Sequence, residues 1–114
     1  MQNAAATSWA FEPDIMDISG RLDDGTAPAL EEDALLCIRS GARRMIFDCR
    51  ELTYVTAAGL RAMLNVAREM QMFQGSFGVC ELQPQVEDML RVTGLCEMIS
   101  IFGSRNEAIT ALAA

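Results

Sequence analysis

The architecture of this chain is indicated most clearly by ten residues, Glu51–Leu60, which read Glu-Leu-Thr-Tyr-Val-Thr-Ala-Ala-Gly-Leu. The short apolar run Met45–Phe47 precedes them and is typical of a buried strand. Leu60 is followed by Met63 and Ala67, a spacing that places all three on one face of a helix. The stretch therefore predicts a strand that turns directly into a helix.

Thr56 lies where the helix is predicted to begin, ahead of two alanines. A helix start presents unpaired backbone N–H groups and the positive end of the helix dipole, so it favours an anionic group. Threonine is also a good N-cap, because its hydroxyl accepts from a backbone N–H two or three residues on. The alternative is that Thr56 is a phosphorylation site, although a capping hydroxyl is held away from the in-line approach that phosphoryl transfer needs.

Length and charge restrict the function classes. A chain of 114 residues supports one domain, expected over 8–114 after a flexible tail at 1–7. The hydrophobic content of 51% is that of a globular protein, and the net charge of −7 argues against nucleic acid or an anionic membrane as partner. No apolar run approaches the ~18–20 residues that span a bilayer, so we expect no membrane insertion and a cytoplasmic protein.

The residue types present argue against an enzyme. The chain contains no histidine, and its nine basic residues are all arginine, so the commonest general base and the Schiff-base amine are both missing. We therefore expect no catalytic residue, no metal and no cofactor. The four cysteines have no CxxC spacing and are expected to be reduced and buried; they are Cys37, Cys49, Cys80 and Cys96.

Hydrophobic patterning predicts strands and helices in the order ββαβαβαβα, an α/β arrangement with a parallel part. The strands are expected at 8–11, 15–19, 44–48, 77–80 and 98–102. The first helix is expected after a Thr26 cap with Pro28 in its first turn, and the others at 57–72, from Pro84 to Gly94, and after Ser104. A loop is predicted over 20–25.

Several motifs resemble the STAS family, the anti-sigma factor antagonists and their relatives. Ile18–Asp23 with a following Thr-Ala resembles the family's first loop, and Val92–Leu95 resembles its late Ser/Thr-Gly-Leu turn. Ile46–Asp48 with Leu52–Val55 resembles the central strand and its approach to the family's switch loop. That loop typically reads Asp-Ser-Ser-Gly-Leu, whereas Thr56–Leu60 reads Thr-Ala-Ala-Gly-Leu. The resemblance extends from about residue 10 to the C-terminus.

The resemblance implies a mixed β-sheet of about five strands with four or five helices mainly on one face. It also implies a non-catalytic, protein-binding role. In phosphoregulated relatives the unmodified domain binds an ATP-dependent kinase that is also an anti-sigma factor, and phosphorylation of the first serine breaks that complex. Ala57 occupies the position of this serine and Ala58 that of the second, so phosphorylation at the usual position is excluded by chemistry.

The partner-binding surface expected from the resemblance combines the first loop, the switch loop and the start of the second helix. Its residues are Asp23, Asp24, Gly25, Thr26, Thr56, Ala57, Ala58 and Arg61. The alternative for the two aspartates is a purely structural role in a turn, and for Arg61 a solvated position. Tyr54 is expected to pack its ring inward. The methionines are expected to fill the core, and the alternative for Met70 and Met72 is an adaptable contact surface.

The leading functional hypothesis is a regulatory module similar to an anti-sigma factor antagonist, which binds a kinase-like anti-sigma factor. The alternative is a structural STAS subunit of a lipid-transport ABC-type complex, because such subunits carry a Thr beside Ala-Gly-Leu. A homodimer could form through an exposed first strand, since an edge strand can pair with its copy.

Overall fold

The computed structural model describes residues 13–113 and contains four strands and four α-helices in that part of the chain. The strands are β1 (Asp14–Leu22), β2 (Arg44–Val55), β3 (Ser76–Cys80) and β4 (Ser100–Phe102). The helices are α1 (Ala27–Arg39), α2 (Ala57–Met72), α3 (Pro84–Val92) and α4 (Arg105–Ala113), with a 3₁₀ turn at Leu95–Glu97. The predicted α/β class and strand–helix alternation are confirmed.

The strands form one sheet in the order β1-β2-β3-β4, and every pairing between the described strands is parallel. The predicted first strand at 8–11 and the tail at 1–7 lie outside the described residues. The expected mixed sheet of about five strands is thus, over residues 13–113, a parallel sheet of four.

Strands β1 and β2 project beyond the rest of the sheet. Their pairing continues to Leu22 opposite Val55, whereas β3 ends with Cys80 opposite Asp48. Residues 20–22 of the predicted loop over 20–25 therefore belong to β1, and the predicted end of the third predicted strand at 48 is wrong, because that strand continues to Val55. The pairing is retained through two register shifts in β1. The side chains of Leu22 and Val55 are buried, so the projecting end of the two strands packs against the core.

The two faces of the sheet are covered unequally, because alternate residues of a strand point to opposite faces. Met45 and Phe47 of β2 belong to the main core, which also contains the buried faces of α1, α2 and α3. Ile46 points the other way and packs with Ala108 of α4. Helices therefore lie mainly on one face, as expected, and α4 alone among the described helices covers the other.

The side-chain expectations are confirmed only in part. Met63 and Met70 are fully buried, but Met72 is 77% exposed because it lies on the solvent side of the last turn of α2. All four cysteines are free thiols. Two of them are buried, but Cys37 is exposed on α1, so the expectation that every cysteine is buried is wrong.

Within residues 13–113, no helix combines the length and the apolar character needed to cross a bilayer.

Candidate functional site

The loop between β1 and α1 is held in shape by the side chains of Asp23 and Thr26. Asp23 Oδ1 accepts from the backbone N–H of Gly25 at 3.0 Å and of Thr26 at 3.2 Å. The Gly25 N–H in particular, with help from Thr26 and Arg21, holds the pKa of the Asp23 carboxyl below its ordinary value against the opposing effect of burial. Asp23 is thus engaged in fixing the turn.

Thr26 occupies the N-cap position of α1, but its hydroxyl makes no capping hydrogen bond. It donates to the carbonyl oxygen of Arg21 at 2.7 Å and accepts from the N–H of Asp23 at 2.9 Å. Thr26 is therefore not the expected helix cap. Its hydroxyl stabilises the loop instead, because the long β1 strand brings the Arg21 carbonyl within hydrogen-bonding distance.

Thr56 joins β2 to α2 and is the N-cap of that helix, as expected. Its hydroxyl accepts from the Gly59 N–H at 3.5 Å and lies 3.4 Å from the Leu22 carbonyl oxygen, to which it can donate. Its own N–H donates to the same carbonyl at 3.0 Å. The side chain is half-buried and faces the end of β1, so the hydroxyl is held inward.

Gly59 allows the start of α2 to lie against the end of β1. A Cβ atom at this position would be 2.6 Å from the Leu22 carbonyl oxygen and 2.7 Å from Cγ2 of Val55. Only a residue without a side chain fits this approach. The glycine of the switch loop is therefore required by packing, independently of any chemistry at residues 56–58.

The two loops meet at the projecting end of the β1–β2 pair. The hydrogen bonds from Thr56 to Leu22 bring the switch loop beside the first loop, which begins at Asp23. Ala57 is exposed and Ala58 is half-buried, so two small apolar side chains form the outer surface of the helix start. A phosphoryl group cannot be attached to either of them.

A groove of about 710 Å³ runs from this end of the molecule along the seam between α1 and α2. Three of the expected partner-binding residues border it, namely Asp24, Ala58 and Arg61. Asp23 and Thr26 do not line the groove, and their hydrogen bonds assign them to the loop framework. The structure therefore brings the two expected loops together but divides their residues between framework and surface.

Sequence reasoning did not identify the residues of α1 that line this groove, among them Glu32, Leu35 and Leu36. The adjacent leucines were a usable signal, because consecutive residues of a helix point about 100° apart, so one of the two can lie at the edge of the apolar face. Leu35 packs partly against the core, whereas Leu36 is 58% exposed.

Tyr54 departs from its expected orientation. Its ring is 44% exposed on the sheet, and the Arg21 guanidinium lies 4.3 Å from the ring centroid. The parallel register pairs Arg21 with Tyr54, so the cation–π contact is a consequence of the projecting strands.

The sequence of this chain is similar to a known domain family and to known proteins. Residues 11–108 match the STAS domain family. BtrV of Bordetella bronchiseptica, a candidate anti-sigma factor antagonist, is 31% identical over 94 residues, which cover 82% of this chain and 81% of BtrV. The anti-sigma F factor antagonist of Paenibacillus polymyxa is 24% identical over 99 residues, covering 86% of this chain and 85% of that protein.

The fold has a close counterpart among solved structures. The crystal structure of a candidate anti-sigma factor antagonist from Thermotoga maritima superposes with a TM-score of 0.80 over 88% of each chain, at 14% identity. At that identity the likeness concerns the fold alone. The match over residues 11–108, together with the Bordetella relative, shows that this chain belongs to the STAS domain family.

Proposed function

We propose that this protein is a cytoplasmic, non-catalytic regulatory module that acts as an anti-sigma factor antagonist by binding a kinase-type anti-sigma factor. Membership of the STAS family and the 31% identity to the Bordetella protein support the class. The main structural support is the surface at which both loops meet, where Ala57 is exposed beside the groove bordered by Asp24 and Arg61. A partner can reach these residues without any rearrangement of residues 13–113.

We further propose that the module is not switched by phosphorylation at the usual serine position. Ala57 offers no hydroxyl there, so the helix start never gains the ~1.5–2 negative charges that a phosphate adds. Thr56 is the nearest hydroxyl, and its hydrogen bonds hold it towards the Leu22 carbonyl, which disfavours in-line transfer to it. The protein would then remain in the binding-competent state.

The proposal is tested by mixing the purified chain with each kinase-type anti-sigma factor of its source organism and measuring complex formation by biolayer interferometry. We expect one of them to bind. The variant Ala57→Glu places a carboxylate where a phosphate would be, and we expect it to weaken binding by at least ~10-fold through like-charge repulsion and desolvation. Gln71→Glu adds the same charge at an exposed position far along α2 and should leave binding unchanged.

Two results would contradict the proposal. If none of these kinases binds, or if Ala57→Glu and Gln71→Glu bind equally well, the helix start is not the docking surface of an anti-sigma factor antagonist. Incubation with ATP and the bound kinase, followed by mass spectrometry, tests the second part. A phosphate on Thr56 would show that the switch has moved by one residue.

A further inference from the structure

The groove between α1 and α2 combines an apolar surface with a fixed shape. Leu36 is 58% exposed at its edge, and the half-buried Leu35 and Ala58 contribute further apolar surface. Helix α1 is joined to α2 by an ion pair from Arg39 Nε to a Glu69 carboxylate oxygen at 3.0 Å. The groove is therefore preformed, so binding there would require little ordering of this chain.

A second polar link lies further along the same seam. The side-chain amide of Asn65 on α2 donates to the Glu31 carboxylate on α1 at 3.1 Å. This hydrogen bond leaves the negative charge of Glu31 uncompensated, because its partner is a neutral amide. The contact therefore positions a carboxylate at the groove without neutralising it.

The charges that line the groove are mainly negative. Asp24, Glu31 and Glu32 form no ion pair with any residue between 13 and 113. The Arg39 charge is offset by Glu69, which leaves Arg61 as the one lining cation without an ion pair in the described chain. Three uncompensated carboxylates beside an exposed leucine favour a ligand that is both apolar and basic.

We propose that this groove binds an amphipathic segment of a partner protein in which an apolar side chain is flanked by arginine or lysine. The apolar side chain packs against Leu35, Leu36 and Ala58, and the flanking cations pair with Glu32 and Asp24. This inference rests on the proposed function, because the groove would be a second contact surface for a protein partner. That surface continues from the switch loop along α1. A second copy of this chain is a poor occupant, because its net charge is −7.

The test uses two synthetic peptides rather than an unknown partner. Both are capped amphipathic peptides with a leucine face, one flanked by arginines and the other by glutamates at the same positions. Each is titrated into the isotopically labelled full-length protein and followed by amide NMR. We expect the arginine peptide alone to shift the amides of Leu36, Ala58 and Arg61, and its affinity to fall as salt screens the charges.

Matched variants then separate groove binding from a general charge effect. Glu32→Arg and Asp88→Arg change the net charge equally at exposed helical positions, but Asp88 lies on α3, away from the groove. We expect Glu32→Arg and Leu36→Ala each to weaken arginine-peptide binding about tenfold, and Asp88→Arg to change it little.

Three results would overturn the inference: equal binding of both peptides, shifts confined to another surface, or equal effects of Glu32→Arg and Asp88→Arg. None of them bears on whether an anti-sigma factor binds at Ala57, which is measured with the kinase itself. The failure of this inference and the failure of the proposed function are therefore distinguishable.

Discussion

At the scale of single residues, Gly59 shows that the switch loop is constrained by packing as much as by function. The carbonyl oxygen of Leu22 that a Cβ at position 59 would approach to 2.6 Å also accepts the N–H of Thr56, so it cannot move away freely. Cγ2 of Val55, at 2.7 Å, is buried and equally confined. The helix start is thus fitted to the end of β1.

We expect Gly59→Ala to lower the free energy of unfolding by about 1–3 kcal/mol, because the steric cost of overpacking exceeds the helix propensity that alanine gains over glycine. Urea denaturation followed by circular dichroism measures the change. Gly25→Ala is the control, since its Cβ would meet only the Asp23 carboxylate at an ordinary 3.4 Å. Equal stability losses for the two variants would contradict the packing argument.

The residues of the candidate site were only partly predictable. Thr56 as an N-cap and the closeness of the two loops followed from the strand–helix boundary and from the common edge of a parallel sheet. The framework role of Thr26 depends on a carbonyl of β1, and the exposure of Leu36 depends on where α2 lies against α1. Such contacts between distant parts of the chain leave no local pattern.

At the scale of elements, β2 shows why a strand end is hard to locate in a sequence. Its first half is buried without interruption from Met45 to Cys49, because both faces of the sheet are covered there. After Cys49 one face is open, and the residues alternate irregularly between exposed positions and the buried Leu52 and Val55. The register shift beside Gly20 of β1 accommodates this irregular burial pattern. In the sequence alone, such an irregular pattern is typical of a loop.

Helix α4 is attached to the sheet by ion pairs as well as by apolar contacts. Asp48 is 3% exposed, and its carboxylate accepts from Arg105 of α4 at 3.1 Å and from the Arg50 N–H at 3.0 Å. Glu81 adopts a φ of 59°, and its carboxylate accepts from the Arg105 N–H at 2.9 Å and pairs with the Arg50 guanidinium at 3.2 Å. The strained backbone of Glu81 thereby aligns the start of α4 with the strand ends.

We expect Arg105→Leu to destabilise the fold by about 2–3 kcal/mol, because it leaves the buried Asp48 carboxylate without its cation. This figure is below the usual cost of breaking a buried pair, since the Arg105 side chain is 39% exposed and the Arg50 N–H remains bonded to Asp48. Chemical denaturation gives the value. Arg91→Leu removes a solvent-exposed pair with Glu87 and should change the stability little.

The double variant Arg105→Leu with Asp48→Asn tests the reason for that loss. An amide in place of the carboxylate removes the buried charge, so we expect it to recover part of the stability that Arg105→Leu alone loses. If the double variant is less stable than Arg105→Leu, the ion pair does not account for the effect of the arginine.

At the scale of the whole molecule, the two faces of the sheet have different roles. The face covered by α1, α2 and α3 ends in the loops and the groove that form the candidate binding surface. The opposite face carries α4 and the Asp48 ion-pair network, and its small apolar core includes the thiol of Cys80. Global stability can therefore be probed at the buried thiols without altering the candidate surface.

The buried thiols predict a loss of stability in alkaline solution. Burial raises the pKa of the Cys49 thiol to about 12 and that of Cys80 to about 11, above the value of 9.0 that an unperturbed cysteine has. Above about pH 9 the unfolded chain releases these protons while the folded chain keeps them, so the unfolded state binds fewer protons. The stabilisation is therefore complete below that pH and is lost as the pH rises towards the folded-state values.

Urea denaturation at a series of pH values measures this dependence. We expect the contribution of these two thiols to the free energy of unfolding to be constant near neutral pH and to decline from about pH 9 upwards. Cys49→Ala lowers stability at every pH through the cavity it creates, but it also removes one titrating thiol, so its curve should decline less steeply than that of the native chain. Val66→Ala creates a cavity in the same core but removes no titrating group, so it should reproduce the native slope. Identical slopes for Cys49→Ala and the native chain would mean that the Cys49 thiol keeps no additional proton in the folded state, and that other groups cause any alkaline loss of stability.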